Sequence, residues 1–577
     1  MPNYSSSKQF ANGYPTPGPQ HPDPQKVMDH IFFLSEAGWK EAREQEQFDY
    51  IILGSGFCSL AFSERILAAE PNKKILIIER GPFFLPQHFQ NLPIPYQHTL
   101  GGLSETFPWT LARKTAEQPA GNITFQHGMV PFFGGRSMMW SAWCPRPTAD
   151  EMAYWPEQVI AAAGRNFESA EKLLNVVPAD RIDAGLNPQL LEMVARQRPV
   201  YGAMQRALQA MLTDNLKRIP SATRCIAAPL AVGAGTQEGL DFAKFSTPSV
   251  MLDLVSKQSR LNSKGQGALL KIVTNCVATQ IHQQDGVATA IDTTRGMVSV
   301  GGAKVILAMG TLPPATLMLN SFPQVEKVGE RFTAHFITSV VARIPRADYD
   351  FADQLAELEL AAIYLAGKNQ ESGMQYHVQL SVLSDLEPDK NAPRAARYMP
   401  DVVATASPAQ LESSQDYLVF VCAVLGEIDF RNPDNHLRRN GQSDPTSNVT
   451  LQVVASDIDR ETWDTMDEAT FQMLEQALSP RGAAHVQYWQ GDSDTGAWSG
   501  ERPGVPLRRV GGLVHEGSSL YIGKDKEGVV GLDYRPHGVE NVYVTGGALW
   551  PASGSWNPTM TMVALAQDLA DQLLYKQ

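Results

Sequence analysis

Tyr50 to Leu53 is a short apolar run without polar alternation, the pattern of a strand buried on both faces. A Gly-rich turn, "GSGFCS", follows it, and Leu60 to Leu67 then places apolar residues at helical spacing. "KKILIIER" is a second continuous apolar run, so the three segments together predict a βαβ unit. Val305 to Ala308 repeats the buried-strand pattern and stops just before Gly310. From Phe332 to Arg509 the pattern changes: "YHVQLSVLSD", "DYLVFVCAVLGEI" and "SNVTLQVVAS" are strand-like segments between polar loops. They predict a largely antiparallel sheet. From Thr559 onward, Met562, Leu565, Ala566, Leu569 and Leu573 recur three and four apart, which predicts a closing helix. Asn557 suits its N-cap and Pro558 its first turn. Near the start, "QKVMDHIFFLSEAGWKEAREQ" reads as one amphipathic lead-in helix.

These segments predict an α/β nucleotide-binding domain of Rossmann type and an α+β substrate domain with a mainly antiparallel sheet. The expected division is a flexible Pro-rich tail over 1–25, the lead-in helix over 26–47, a discontinuous nucleotide domain over 48–150, 265–330 and 510–577, and a substrate domain over 151–264 and 331–509. A length of 577 residues fits more than one core. The net charge of −13 argues against nucleic acid or an anionic membrane surface as partner. No apolar run reaches the length of a membrane span, and the first residues lack a secretory signal pattern, so a cytoplasmic location is expected. Cys58, Cys144, Cys225, Cys276 and Cys422 lie far apart without metal-ligand spacing, so reduced thiols and no metal are expected.

The chemistry of the first turn is specific. In the GxGxxS pattern, Gly54 permits a tight turn and Gly56 lets backbone approach a pyrophosphate at the helix N-terminus. Ser59 is small enough for close helix–strand packing. Glu79 closes the second strand, where a carboxylate accepts hydrogen bonds from an adenosine ribose. The same carboxylate disfavours a 2′-phosphorylated ribose.

The motifs together resemble the glucose–methanol–choline (GMC) family of FAD oxidoreductases. "ILGSGFCSLAFSERIL…KILIIERGP" is similar to the family's opening flavin motif, "FFGGRSMMWSAWCPRP" to its second flavin segment and "KVILAMGTLPPATLMLNSF" to its third. "VGERFTAHF" resembles its VGxNLxDH element, and the stretch from "VHEGSSLYIG" through "GSWNPTMTMVALAQDLADQLL" its C-terminal signature. Within the family, "GGRSMMWSAWCPR", "AAPLAVGAGTQEGLDFAKFSTPSVMLDL" and the Gly546-Gly547 pair are most similar to the pyranose 2-oxidase branch, near glycoside 3-oxidases.

The resemblance implies FAD as cofactor, with Arg80, Gly134, Gly135, Ser137, Met139, Trp140, Ser141, Val277, Gly310, Gly546, Gly547, Asn557, Pro558 and Thr559 at it, beside Gly54, Gly56, Ser59 and Glu79. It implies His515 as general base and Asn557 as its partner on the alcohol oxygen, with hydride transfer to flavin N5 giving a carbonyl. A histidine, with an unperturbed pKa near 6.5, suits proton abstraction at neutral pH. The substrate is then a small-molecule sugar, glycoside or other secondary alcohol, and O₂ or a quinone the electron acceptor. An oligomer is also implied, since that branch is often tetrameric, with residues 26–45 as an assembly arm.

Departures from the branch carry expectations of their own. Met139 stands where the branch has an FAD-tethering His, so the flavin is expected to be non-covalent. Ser141 takes the place of a Thr, and Tyr521 and Ile522 replace an Arg-Met pair, altering the pocket or the flavin surroundings. Trp140, Trp143, Trp550 and Trp556 are candidates for the pocket wall, with core packing expected for at least two. His127 has no assigned role and His335 a structural one. The competing readings are a non-redox FAD-containing lyase of the same fold, a secondary-metabolite alcohol oxidase or dehydrogenase, and an NAD-binding module.

Overall fold

A computed structural model gives the fold, and the described residues are 28–29, 31–91, 106–116, 128–182, 200–233, 243–400, 406–492 and 495–575. The tail over 1–25 and His127 lie outside them. The lead-in segment is not one helix. The chain turns at Phe32–Leu34, where the Leu34 N–H donates to the Ile272 carbonyl at 2.8 Å. Ser35 then caps a shorter helix, α1 (Glu36–Gln45), its Oγ accepting from Gly38 N at 3.2 Å. Phe33 packs on Phe83 and Phe133, and Trp39 is buried with its indole N–H on the Arg295 carbonyl. Phe33 and Trp39 of this segment are therefore spent on packing within their own chain.

The nucleotide layer is built on β1 (Tyr50–Leu53), α2 (Phe57–Ala69) and β2 (Ile75–Ile78). Four helices and strands from later in the chain complete it: α3 (Glu157–Leu174), α4 (Thr247–Asn262), β3 (Leu270–Val273) and β4 (Lys304–Leu307). The parallel sheet runs β5–β4–β1–β2–β3, where β5 is Val542–Val544, a strand taken from near the end of the sequence. Its strands are buried on both faces, as their unbroken apolar runs require. Gly54 ends β1 with φ +98°, and a Cβ there would stand 2.6 Å from the Ala308 carbonyl oxygen. Only glycine lets the two strand ends close up. The closing helix, α5 (Thr559–Tyr575), packs on both α2 and α3. So α3 joins the nucleotide layer although it falls within the segment expected to form the substrate domain, and α4 likewise packs on α2.

The second layer is an eight-stranded, antiparallel sheet whose long members are β6 (Thr333–Pro345), β7 (Leu358–Lys368), β8 (Gln375–Asp385) and β9 (Tyr417–Glu427), in the order β6–β9–β8–β7. In β8, Tyr376, Val378, Leu380 and Val382 enter the core beneath α6 (Asp457–Gln472). The alternate residues Gln375, His377, Gln379 and Ser381 turn to the opposite face. β10 (Arg509–Gly517) pairs with β6 at the sheet's edge and then leads back into the nucleotide layer, so the two layers exchange within this strand. No helix among the described residues is long and apolar enough to cross a membrane.

Candidate active site

One cavity of about 860 Å³ lies between the layers and reaches from Glu79 to Gln379. At the nucleotide end, Glu79 is buried, accepting the Ser55 hydroxyl at 2.5 Å and the Gly81 N–H at 2.8 Å. Burial raises its carboxyl above the ordinary value, while the Ser55 and Gly81 donors and the neighbouring Arg80 pull it back. Ser55 Oγ also accepts the Gly134 N–H at 2.8 Å, so one hydroxyl joins the two Gly-rich turns. The sequence marks Ser55 only as the variable position of GxGxxS, which is why pattern reasoning passes over it.

Gly54, Gly56, Glu79, Arg80, Gly135, Met139, Trp140, Ser141, Val277, Gly310, Gly546, Gly547, Asn557, Pro558 and Thr559 all line the cavity, as does His515. Ser59, Gly134 and Ser137 do not. Ser59 is fully buried in α2, and Ser137 Oγ donates to the Gly134 carbonyl at 2.7 Å and bonds the Thr247 hydroxyl at 2.9 Å, bracing the turn from behind. Trp140 is held by its indole N–H on the Phe245 carbonyl (2.7 Å) and an edge contact with Phe57. Behind it, buried His88 bonds the Trp140 carbonyl through Nε2 at 2.7 Å, and burial lowers its pKa to about 3.

Of the four tryptophans, Trp140 and Trp143 reach the cavity, whereas Trp550 and Trp556 pack with Trp155 at ring separations of 5.0 to 5.9 Å. Tyr521 and Ile522 do not line the cavity. Tyr521 lies under the Arg331 guanidinium at 3.9 Å and Ile522 is buried, so neither alters the cavity wall directly. The five cysteines are free, and burial raises each thiol. Among the described residues no cluster of His, Cys, Asp and Glu is arranged to hold a metal.

His515 owes its place to a β-bulge. Thr333 pairs with Gly517 and His335 with Val514, so His515 and Glu516 together oppose Ala334 alone. His515 takes φ +61°, a conformation that costs a non-glycine residue energy and re-aims its side chain. Its Nδ1 lies 2.8 Å from Nδ1 of His335, and His335 Nε2 donates to the Gly554 carbonyl at 2.7 Å. Gly554 itself needs to be glycine: at φ +57° a Cβ would fall 1.9 Å from the Trp556 ring. Three residue positions further along, Asn557 is 4 % exposed and its Oδ1 finds no partner among the described residues. Asn557 is not the helix cap: α5 starts at Thr559, and the Pro558 carbonyl accepts the Met562 N–H at 3.0 Å. An unpaired buried amide oxygen costs roughly 1–3 kcal/mol, which a polar ligand group in the cavity relieves.

The wall given by the antiparallel sheet is chiefly apolar. Ile337, Ala423, Leu425, Val510 and Val514 line it, with Ser339, Gln379, His515 and Glu516 as its polar members. Sequence patterning places these residues on strands but not on a common face, because which face of an all-buried strand meets a cavity depends on what packs opposite.

The family profile described as GMC oxidoreductase, from its C-terminal part, matches residues 432–566. The matched region carries the His515 bulge, the Gly546–Asn557 loop and the start of α5. Among solved structures, pyridoxine 4-oxidase from Mesorbium loti matches with a TM-score of 0.54 at 13% identity, covering 92% of this chain and 99% of that one. The two-layer architecture is thus the GMC fold. No curated protein sequence matches the chain.

Proposed function

We propose that this protein oxidises an alcohol to a carbonyl with non-covalently bound FAD. The reading rests on one observation: a single cavity brings together Glu79, the Gly-rich turns, His515 and the unpaired Asn557 oxygen. The residues present fit FAD. Glu79 would receive the adenosine ribose, the Gly54–Gly56 turn and the start of α2 the pyrophosphate, and the Gly135–Ser141 segment and the Gly546–Thr559 loop, which line the same cavity, would hold the isoalloxazine. Met139 offers no nucleophile for a flavin tether, so acid precipitation of the purified protein is expected to leave the yellow colour in the supernatant.

Bound FAD supplies the two-electron acceptor that takes hydride from the carbinol carbon. The chain's own part is binding and proton handling. His515 takes the alcohol O–H proton, leaving that electron pair on oxygen to become the second bond of the carbonyl. The single alcohol hydrogen goes to His515, so Asn557 donates an amide N–H to the same oxygen and holds the carbinol carbon in place. The sheet wall excludes water and receives the rest of the substrate.

A hexose brings several hydroxyls, and the sheet wall is chiefly apolar, with Ser339, Gln379, His515 and Glu516 as its polar members, so it offers few partners for them. We therefore favour an aryl or alkyl alcohol over a free sugar, away from the pyranose oxidase resemblance. The test is anaerobic titration of the yellow holoenzyme with aryl alcohols, alkyl alcohols and sugars. Bleaching of the flavin by the first two classes is expected, and His515→Ala is expected to slow it by roughly 10² to 10⁴. A holoenzyme that no alcohol bleaches would move the weight to the lyase reading.

A further inference from the structure

The hydrogen bonds behind His515 determine which of its ring nitrogens carries the proton. The Gly554 carbonyl can only accept, so His335 Nε2 must carry a hydrogen. His335 is 1 % exposed, and burial lowers its pKa to about 4, so at neutral pH the ring is uncharged and its Nδ1 is a lone pair. The groups facing His335 do not reverse this. The His377 ring lies edge-on at 6.2 Å and is itself held neutral by burial. Glu427 sits opposite His335 in the strand register, and burial pushes its carboxyl up to about 8, toward the uncharged acid. A contact of 2.8 Å between the two Nδ1 atoms then requires the N–H to come from His515.

We propose that His335 is a positioning residue for the reaction: it fixes His515 as the Nδ1–H tautomer, so that Nε2 is the atom that accepts the alcohol proton. The inference rests on the alcohol-oxidation reading above. Nδ1 is turned to His335, Nε2 is the ring's other nitrogen, and His515 lines the cavity. When the O–H bond breaks, its proton passes to Nε2, its electron pair stays on oxygen to form the carbonyl, and the hydride passes to FAD. His515 becomes an imidazolium that still donates Nδ1–H to His335. A neutral imidazole thus fills the orienting place that a carboxylate holds in a Ser-His-Asp triad. The same ring ties the base to the loop that holds Asn557, because Gly554 is three positions from Asn557.

The test has two readouts on the holoenzyme. Nitrogen-15 NMR of histidine-labelled protein, with the His515 signals assigned by their loss in His515→Ala, reports the tautomer without any substrate. Stopped-flow flavin reduction by the best alcohol of the panel reports the rate across pH. Wild type is expected to show a protonated Nδ1 and an unprotonated Nε2 on His515. His335→Leu is expected to mix the tautomers and slow reduction roughly 10-fold or more, with KM little changed and the flavin spectrum kept. His335→Asn, which can place an acceptor oxygen near the lost Nδ1, is expected to restore much of the rate. A wild-type His515 protonated on Nε2 overturns the proposal. So does a folded His335→Asn no faster than His335→Leu. If the tautomer is as stated but no alcohol reduces the flavin, the tautomer assignment stands and the oxidation reading falls.

Discussion

At the scale of single residues, the cavity is surrounded by buried ionisable groups whose charge states burial decides. Glu427 is the clearest. Its Oε1 accepts the Gln375 N–H at 2.9 Å, and desolvation outweighs that bond and the Gly554 amide, lifting the pKa from 4.5 to about 8. The folded state therefore holds a proton that the unfolded chain releases above its ordinary value. The stability this contributes is complete below pH 4.5 and is lost as pH rises through 8. Glu427→Gln, which cannot ionise, is expected to flatten the fall in Tm between pH 6 and pH 9, measured by thermal unfolding at a series of pH values. A Tm profile unchanged by the substitution would remove Glu427 as the source. Reading such groups from sequence is hard: Glu427 looks like any polar residue at a strand end, and its environment comes from β6, β8 and the 551–556 loop at once. Asn557 shows the converse. Its place before a proline and an amphipathic segment marks a helix start, yet the first helical residue comes two positions later and the side chain turns into the cavity.

At the scale of elements, local pattern carried far. The βαβ unit with Glu79 at its end, the buried strand before Gly310, the antiparallel region and the closing helix are each visible as period and punctuation. What escaped was pairing over long sequence distance: the joining of β10 to β6, and the allegiance of α3 and α4 to the nucleotide layer. The lead-in segment reads as one helix because helical spacing on both sides of Phe32–Leu34 hides a turn that tertiary contacts impose. The bulge in β10 is the element on which the site depends most. A strand has a side-chain period of two, so removing one residue moves its neighbours to the opposite face. Deleting Glu516 is expected to abolish alcohol-driven bleaching while far-ultraviolet circular dichroism stays native. Glu516→Gln loses the ion pair with Arg136 but keeps the bulge, and is expected to remain active. Equal loss in both variants would assign the effect to the ion pair instead.

At the scale of the whole molecule, the cavity lies at the seam of two layers, and its walls come from residues as distant in sequence as Leu53 and Met562. A ligand that fills such a seam binds the folded form alone and stabilises it by mass action, by about 2.7 kcal/mol when free ligand is 100 times Kd. Stripping FAD is therefore expected to lower Tm, and adding it back to raise Tm with concentration, in thermal shift measurements on the same preparation. A Tm indifferent to added FAD would count against the flavin assignment. The placing of β5 also bears on how the protein is made. β5 pairs with β4 and α5 packs on α2 and α3, yet β5 and α5 are translated more than two hundred residues after β4. A chain that stops before them would lack the strand that covers the Lys304–Leu307 edge and the helix that covers α2 and α3. Premature termination in that interval is therefore expected to release a species prone to aggregate, so the last stretch of synthesis is the one that completes a soluble fold.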